Sequence, residues 1–224
     1  MPYPGLPPPS VQASYYNTTT KSTLPAFLND LDHSLSTTFV VLRRFCTKVN
    51  AAADSRELLP KELLLETMAS VAYRLLDMSY EIGSLNEAVR LGLLAFCSHI
   101  FLQWANMKPP LAQFSMLYKQ SFISLRPPHD VKSSQVRIWL LMVGAVSVFD
   151  GLEDRLWVVP WLRDSVRSCN IVSWRQMQDL LVSFMWVGIV QDDSGKDVFG
   201  SAISCWSESL DTSSFLLDDS FTYT

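Results

Sequence analysis

Charge is scarce in this sequence. Asp, Glu, Lys and Arg together make up 18% of its 224 residues, against about 25% in ordinary globular chains. Basic residues nowhere form a run, and the densest pair is Arg43-Arg44. With a formal charge of −4, the chain lacks the basic stripe that a free-standing nucleic-acid binder uses to neutralise phosphates. Cysteines are few and scattered: Cys46, Cys97, Cys169 and Cys205 show no CxxC or Cys/His spacing, which leaves no zinc signature. The eight glycines do not cluster, so a phosphate-binding glycine loop is absent, as is G-x-S-x-G. The longest apolar runs, Leu91–Leu102 and Ile138–Phe149, fall short of the roughly 20 residues that span a bilayer. The N-terminus MPYPGLPPPS has neither the charged nor the apolar region of a signal peptide. Together these absences point to a soluble intracellular protein with free thiols and no membrane or nucleic-acid partner.

Apolar surface is what the chain has in excess. Apolar residues make up 48% of it, and five of the seven tryptophans lie between Arg137 and Val190. Residues 1–22 are Pro-rich, almost uncharged and without apolar periodicity, and read as a disordered leader. From there to residue 207 the pattern is helical, giving an irregular all-α domain of about eight helices. The expected helices are Leu24–Val49, Pro60–Tyr80, Leu85–Met107, Leu111–Ile123, Ser133–Phe149, a broken stretch Glu153–Ser168, Trp174–Val190 and Asp197–Ser207. Pro160 is expected to kink or restart the sixth. Ser84 with Glu87, and Ser173 with Gln176, form capping boxes ahead of apolar runs. QDDSGK is expected to be a turn, and 208–224 an acidic tail in which Asp211, Asp218 and Asp219 alternate with Phe215, Leu216, Leu217 and Phe221. No 34- or 40-residue repeat supports a solenoid.

Residues able to carry chemistry are few, and each has a plain structural explanation. Cys97 and His99 are two apart on a helix and point to different faces, so they read as a packed thiol and a satisfied imidazole. Glu153-Asp154 suits the positive end of a helix dipole. Glycosidase-like work would instead need two carboxylates facing each other across a cleft. The tryptophans at helical spacing read as core or interface packing. A Trp-lined small-ligand pocket is the alternative, with His99 as its polar group. On this reading no residue is catalytic, none binds a metal and no cofactor is implied. The candidate interaction or ligand surface is Trp157, Trp161 and Trp186.

Four stretches recur in a familiar order: W-L-L-M-V-G-A from Trp139, W-x-x-P-W-L-R from Trp157, a capped helix ending F-x-W at Phe184–Trp186, and D-x-x-G-K from Asp192. With ETMASVAYRLLDMSYEIGSLNEAVRLGLLAFCSHIFLQW, they resemble the fungal-specific transcription factor domain, the helical regulatory region that follows a binuclear zinc cluster. The likeness covers roughly residues 24–207. It implies a nuclear regulatory module acting through protein partners, with an effector metabolite or homodimerisation as further expectations. The family's six-cysteine cluster and basic region have no counterpart here, so no zinc ligand or DNA-contacting residue maps onto any position.

Overall fold

The computed structural model describes residues 23–102, 112–149 and 151–211, with side chains to residue 204. Every regular element among them is an α-helix. These are α1 (Thr23–Asn29), α2 (His33–Ser55), α3 (Lys61–Asp77), α4 (Leu85–Leu102), α5 (Ala112–Ile123), α6 (Val131–Ser147), α7 (Leu152–Ser168), α8 (Trp174–Phe184) and α9 (Gly188–Asp211). None is long and apolar enough to cross a membrane. The all-α expectation therefore holds. The Pro-rich leader, the tail beyond Asp211 and the end expected for the third helix at Met107 lie outside the described residues.

Helix α6 is the axis of the molecule. Its middle, Val136–Gly144, is buried without interruption, which is what a helix apolar on every side requires. It packs against α1, α4, α7, α8 and α9. Positions 137 and 139 lie about 200° apart around a helix, so α6 sends Trp139 toward α2 and α8 and Arg137 toward α5 and α7. Trp139 meets Phe39 of α2 edge-on at 5.4 Å and stacks on Phe184 of α8 at 6.0 Å. Helix α4 buries its two charges by pairing them: Arg90 Nη2 sits 2.6 Å from Glu87 Oε1. Arg90 also donates to the Leu75 carbonyl at the end of α3, and Glu87 accepts from Tyr80 N. The pair thereby ties the α3–α4 turn to the core. Ser84 caps Glu87 N as expected, but the Glu87 carboxylate serves Tyr80 and Arg90. The second box, Ser173 with Gln176, is complete.

Several expected boundaries move, the end of the first helix from Val49 to Ser55 among them, and three of the changes have a clear local reason. The first expected helix divides at Asp32, whose carboxylate accepts from Ser34 N and Leu35 N and caps α2. The apolar row Phe27, Leu31, Leu35, Phe39, Leu42 runs on across the division, and periodicity alone could not show the break. Helix α7 passes through Pro160 without ending. Proline deprives the Leu156 carbonyl of its donor, but Leu156 and Pro160 are exposed, so water can serve it. QDDSGK is the first part of α9, not a turn, and the helix before it stops at Phe184, not Val190.

The reason for the last change is a three-residue non-helical break, Met185–Val187, opened by an extended Met185 and fully buried between α8 and α9. A buried break must find partners for its backbone polar groups. Trp139 Nε1 donates to the Met185 carbonyl at 3.0 Å. Asn50 of α2 supplies both ends of its amide, Nδ2 to the Trp186 carbonyl at 2.8 Å and Oδ1 to Gly188 N at 3.1 Å. Gln191 Oε1 accepts from Val187 N at 2.9 Å. Asp192 takes Trp186 Nε1 and Gln178 Nε2 at 2.9 and 2.6 Å. Gly195 follows because a Cβ there would come within 3 Å of both the Trp174 and Trp186 rings. The polar letters that suggest a turn are thus consumed in holding the break.

Asn50→Ala leaves two buried backbone groups unpaired and should cost about 2 kcal/mol in urea unfolding. Asn50→Asp keeps the acceptor for Gly188 N but sets a carboxylate oxygen against the Trp186 carbonyl, and should cost at least as much; equal stability for all three proteins would show that the amide does not hold the break.

Candidate functional site

Across α6 from the break, α5 and α7 lay their aromatic faces on the same helix. On α5, Tyr118, Lys119 and Phe122 fall on one side because they are one, three and four residues apart. On α7, Asp154, Trp157 and Trp161 follow at three and four. Trp157 and Trp161 meet edge to face with centroids 6.4 Å apart, and both contact Phe122, at 5.9 and 5.6 Å. Phe149 meets Trp157 edge-on at 5.0 Å and stacks on Tyr118 at 5.3 Å. Tyr118 Oη donates to the Leu140 carbonyl, and burial pushes its phenol far above the usual range.

Two cations enter this ring cluster. Lys119 Nζ lies 5.2 Å from the Trp157 centroid and 3.8 Å from Asp154 Oδ1. Asp154 also accepts from Trp157 Nε1 at 3.3 Å. Arg137 is different. Its Cζ stands 5.0 Å from the Phe122 centroid and 4.7 Å from the Trp161 centroid, the residue is only 8% exposed, and its Nε is buried with no hydrogen-bond partner. Burial lowers its pKa. Ring faces attract a desolvated guanidinium by about 1–2 kcal/mol each, less than the several kcal/mol that removing an ion from water costs.

Of the three tryptophans expected to share a surface, the structure brings Trp157 and Trp161 together and sends Trp186 elsewhere. Trp186 is 1% exposed and belongs to the break between α8 and α9. It is a core residue and cannot be part of an interaction surface in this fold. The correction has a simple origin. The break turns the chain, so sequence proximity to α7 no longer implies a shared face. The residues that sequence reading missed are Phe122, Lys119 and Arg137. One signal was available for Arg137: it and Lys132 are the two charges of α6, and only Arg137 adjoins the long apolar stretch.

The rings touch one another, so the cluster is packed solid and does not line a chamber. A cavity beside it, bounded by Ala145, Phe149, Arg155, Val158 and Val198, measures about 20 Å³, which is room for a water. His99 sits elsewhere, on α4, almost fully buried, and burial lowers its pKa. Cys97 is buried close enough to Cys46 to bear on its thiol. Desolvation, and secondarily Cys97, raise the Cys46 thiol far above its usual range. The paired acids Glu153-Asp154 occupy the first turn of α7, where the helix dipole favours them. Among the described residues, no group of three or more His, Cys, Asp or Glu side chains is arranged to hold a metal ion. The chain matches no protein-family model, and none of the curated proteins or solved structures compared with it is similar.

Two outcomes follow from this geometry. A Cβ on Gly144 would collide with the Phe149 ring, so Gly144→Ala should destabilise the fold by about 1–3 kcal/mol and perturb the near-UV aromatic signal. His99 stays neutral in the folded chain below the pH at which an unfolded histidine charges, near 6.5. As pH falls below about 6.5 the unfolded state takes up a proton that the folded state does not, so stability falls by up to ~1.4 kcal/mol per pH unit. Urea unfolding at pH 7.5 and 5.5 should show a smaller loss for His99→Gln than for the parent chain.

Proposed function

We propose that this chain is an interaction and regulatory module of the kind found in fungal transcription regulators, acting through protein partners without a DNA-binding module of its own. The observation that carries the reading is a second apolar face on α3. Its inner face, Leu64, Thr67, Val71 and Leu75, is buried, in a helix packed on α2 and α4. Its outer face repeats Leu65, Ala69, Tyr73 and Leu76 at steps of four, four and three, with the three large side chains 61%, 76% and 71% exposed. A helix apolar on two faces within one domain has surface left for a second molecule. Recognition of this type reads anchors at helical spacing.

The stretches that resemble the regulatory family also support the reading, because they are partners in space. Trp139, from the first, bonds the Met185 carbonyl within the F-x-W stretch. Trp186 bonds Asp192, which opens D-x-x-G-K, and Gly195 of that stretch packs on the Trp186 ring. Arg163, which closes W-x-x-P-W-L-R, donates to the Ala202 carbonyl of α9. Residues that hold one another in this way form a single architectural unit. On this reading the chain has no catalytic residue, needs no cofactor, acts in the nucleus and contacts DNA only through its partners.

The test is a fusion of residues 1–224 to an unrelated DNA-binding domain, read with a reporter gene. The fusion should change transcription severalfold. Tyr73→Ser with Leu76→Ser should remove most of that change while leaving the melting temperature within about 2 °C, since both side chains face solvent. A fusion that leaves the reporter at background, or a double variant as active as the parent, would sink the proposal.

A further inference from the structure

The outer face of α3 is chemically lopsided. A helix turns about 100° per residue, which sets Leu65, Tyr73 and Leu76 within about 40° of Ala69 around its axis. Glu62, Glu66 and Asp77 lie about 20–80° to one side of Ala69. The opposite edge holds Lys61, Met68 and Ala72 and no acid. All three carboxylates are exposed, and none enters an ion pair among the described residues. Along the helix they span about 22 Å and reach past both ends of the apolar row, which covers about 16 Å. Ala69, the small residue of the row, leaves room between Leu65 and Tyr73 for a side chain from outside. We propose that this face docks a basic amphipathic helix of a partner protein, its apolar side on Leu65, Tyr73 and Leu76 and its Lys or Arg residues along the Glu62–Glu66–Asp77 edge.

Charge selects this occupant over the others that an apolar row could take. An anionic lipid surface or a nucleic acid would meet the three acids as like charges. A second copy brings the same acids. Antiparallel pairing of two α3 helices sets the acidic edges against each other, and parallel pairing answers them with Lys61 alone. The other base of the helix, Arg74, lies about 140° from Ala69, toward the body of the domain, and is half-buried. A helix with bases along one side of its apolar row neutralises all three acids. Length agrees: a partner helix of about three to four turns covers the row, and anchors at steps of three and four are what such a helix offers. Exposed ion pairs add little affinity each, so the apolar anchors supply the binding and the acids choose the partner. The inference rests on the regulatory reading of the α3 face and names the chemistry of what docks there.

The test uses the full chain and two synthetic helical peptides of about 18 residues, labelled with fluorescein and read by anisotropy. Both carry leucine at steps of three and four. One has lysine on the two edges of the leucine row, and the other has glutamate there. The lysine peptide should bind saturably and about tenfold or more tighter than the glutamate peptide in about 0.05 M salt, a preference that shrinks in about 0.5 M salt. Glu62→Gln with Glu66→Gln and Asp77→Asn should weaken the lysine peptide about tenfold. Asp164→Asn with Asp179→Asn and Asp197→Asn removes as many exposed charges from α7, α8 and α9, and should change its Kd by no more than about twofold. Tyr73→Ser with Leu76→Ser should weaken it by about tenfold or more. Equal binding of the two peptides, or equal losses from the two acid-to-amide triples, overturns the proposal. So does a chain that sediments as a dimer and becomes monomeric on Tyr73→Ser with Leu76→Ser, because a second copy then covers the face. A reporter fusion that responds while the lysine peptide fails to bind removes this inference and leaves the regulatory reading. A lysine peptide that binds a chain whose fusion is silent does the reverse.

Discussion

The hydrogen bond from the Trp139 indole to the Met185 carbonyl, 3.0 Å long and wholly buried, is where the constraints of this fold converge. Met185–Val187 crosses the core between two helices that satisfy only its outer peptide groups: Met185 N donates to the Leu181 carbonyl, and the Val187 carbonyl accepts from Val190 N and Gln191 N. Such a segment persists only if side chains from elsewhere take over the pairing. Three do so for the remaining groups, Trp139 from α6, Asn50 from α2 and Gln191 from α9, while Asp192 of α9 holds the Trp186 indole. The break therefore fixes the mutual position of three helices as well as the direction in which the chain leaves α8. Without it, α8 and α9 would be one continuous rod, and the final helix could not lie along α6 and α7.

Helix α6 divides the interior into two different environments. On the Trp139 side, apolar packing surrounds a hydrogen-bonded break between two helices. On the Arg137 side, a cation lies against two rings with its Nε unpaired. The Glu87–Arg90 pair in α4 shows the usual solution to burying a charge in this protein, a neighbouring carboxylate on the same helix. Arg137 has no such carboxylate and lies against the Phe122 and Trp161 rings instead.

The outside of the molecule tells a complementary story. The outer row of α3 has apolar anchors at helical spacing, and Leu152 and Leu156 of α7 are also exposed. The interior, by contrast, brings no acid, base and nucleophile together among the described residues. His99 and the buried thiols Cys46 and Cys97 are held by desolvation in their neutral forms. Apolar anchors outside and a packed core within are what the proposed interaction module requires.

Much of the architecture could be read from the sequence. Spacing of apolar residues at three and four gave the helices. The Ser173–Gln176 capping box and the acids at the start of α7 marked starts that the structure keeps. Periodicity is a local property, and it persists across Asp32 and past Phe184, where the helices in fact stop. Both stops are set by side chains whose purpose is visible only in three dimensions: the Asp32 carboxylate turning onto α2, and Asn50 reaching a break 136 residues away. The candidate site divides in the same way. Trp157 and Trp161 share a face because they share a helix, and the sequence alone placed them together. Trp186 left that group, and Phe122 and Arg137 joined it, because packing on α6 decides which faces meet. The sequence determined that this chain is a helical, apolar, sparsely charged fold. Only the tertiary structure decided which charge would be buried without a partner, since burial and pairing depend on contacts between helices distant in the chain.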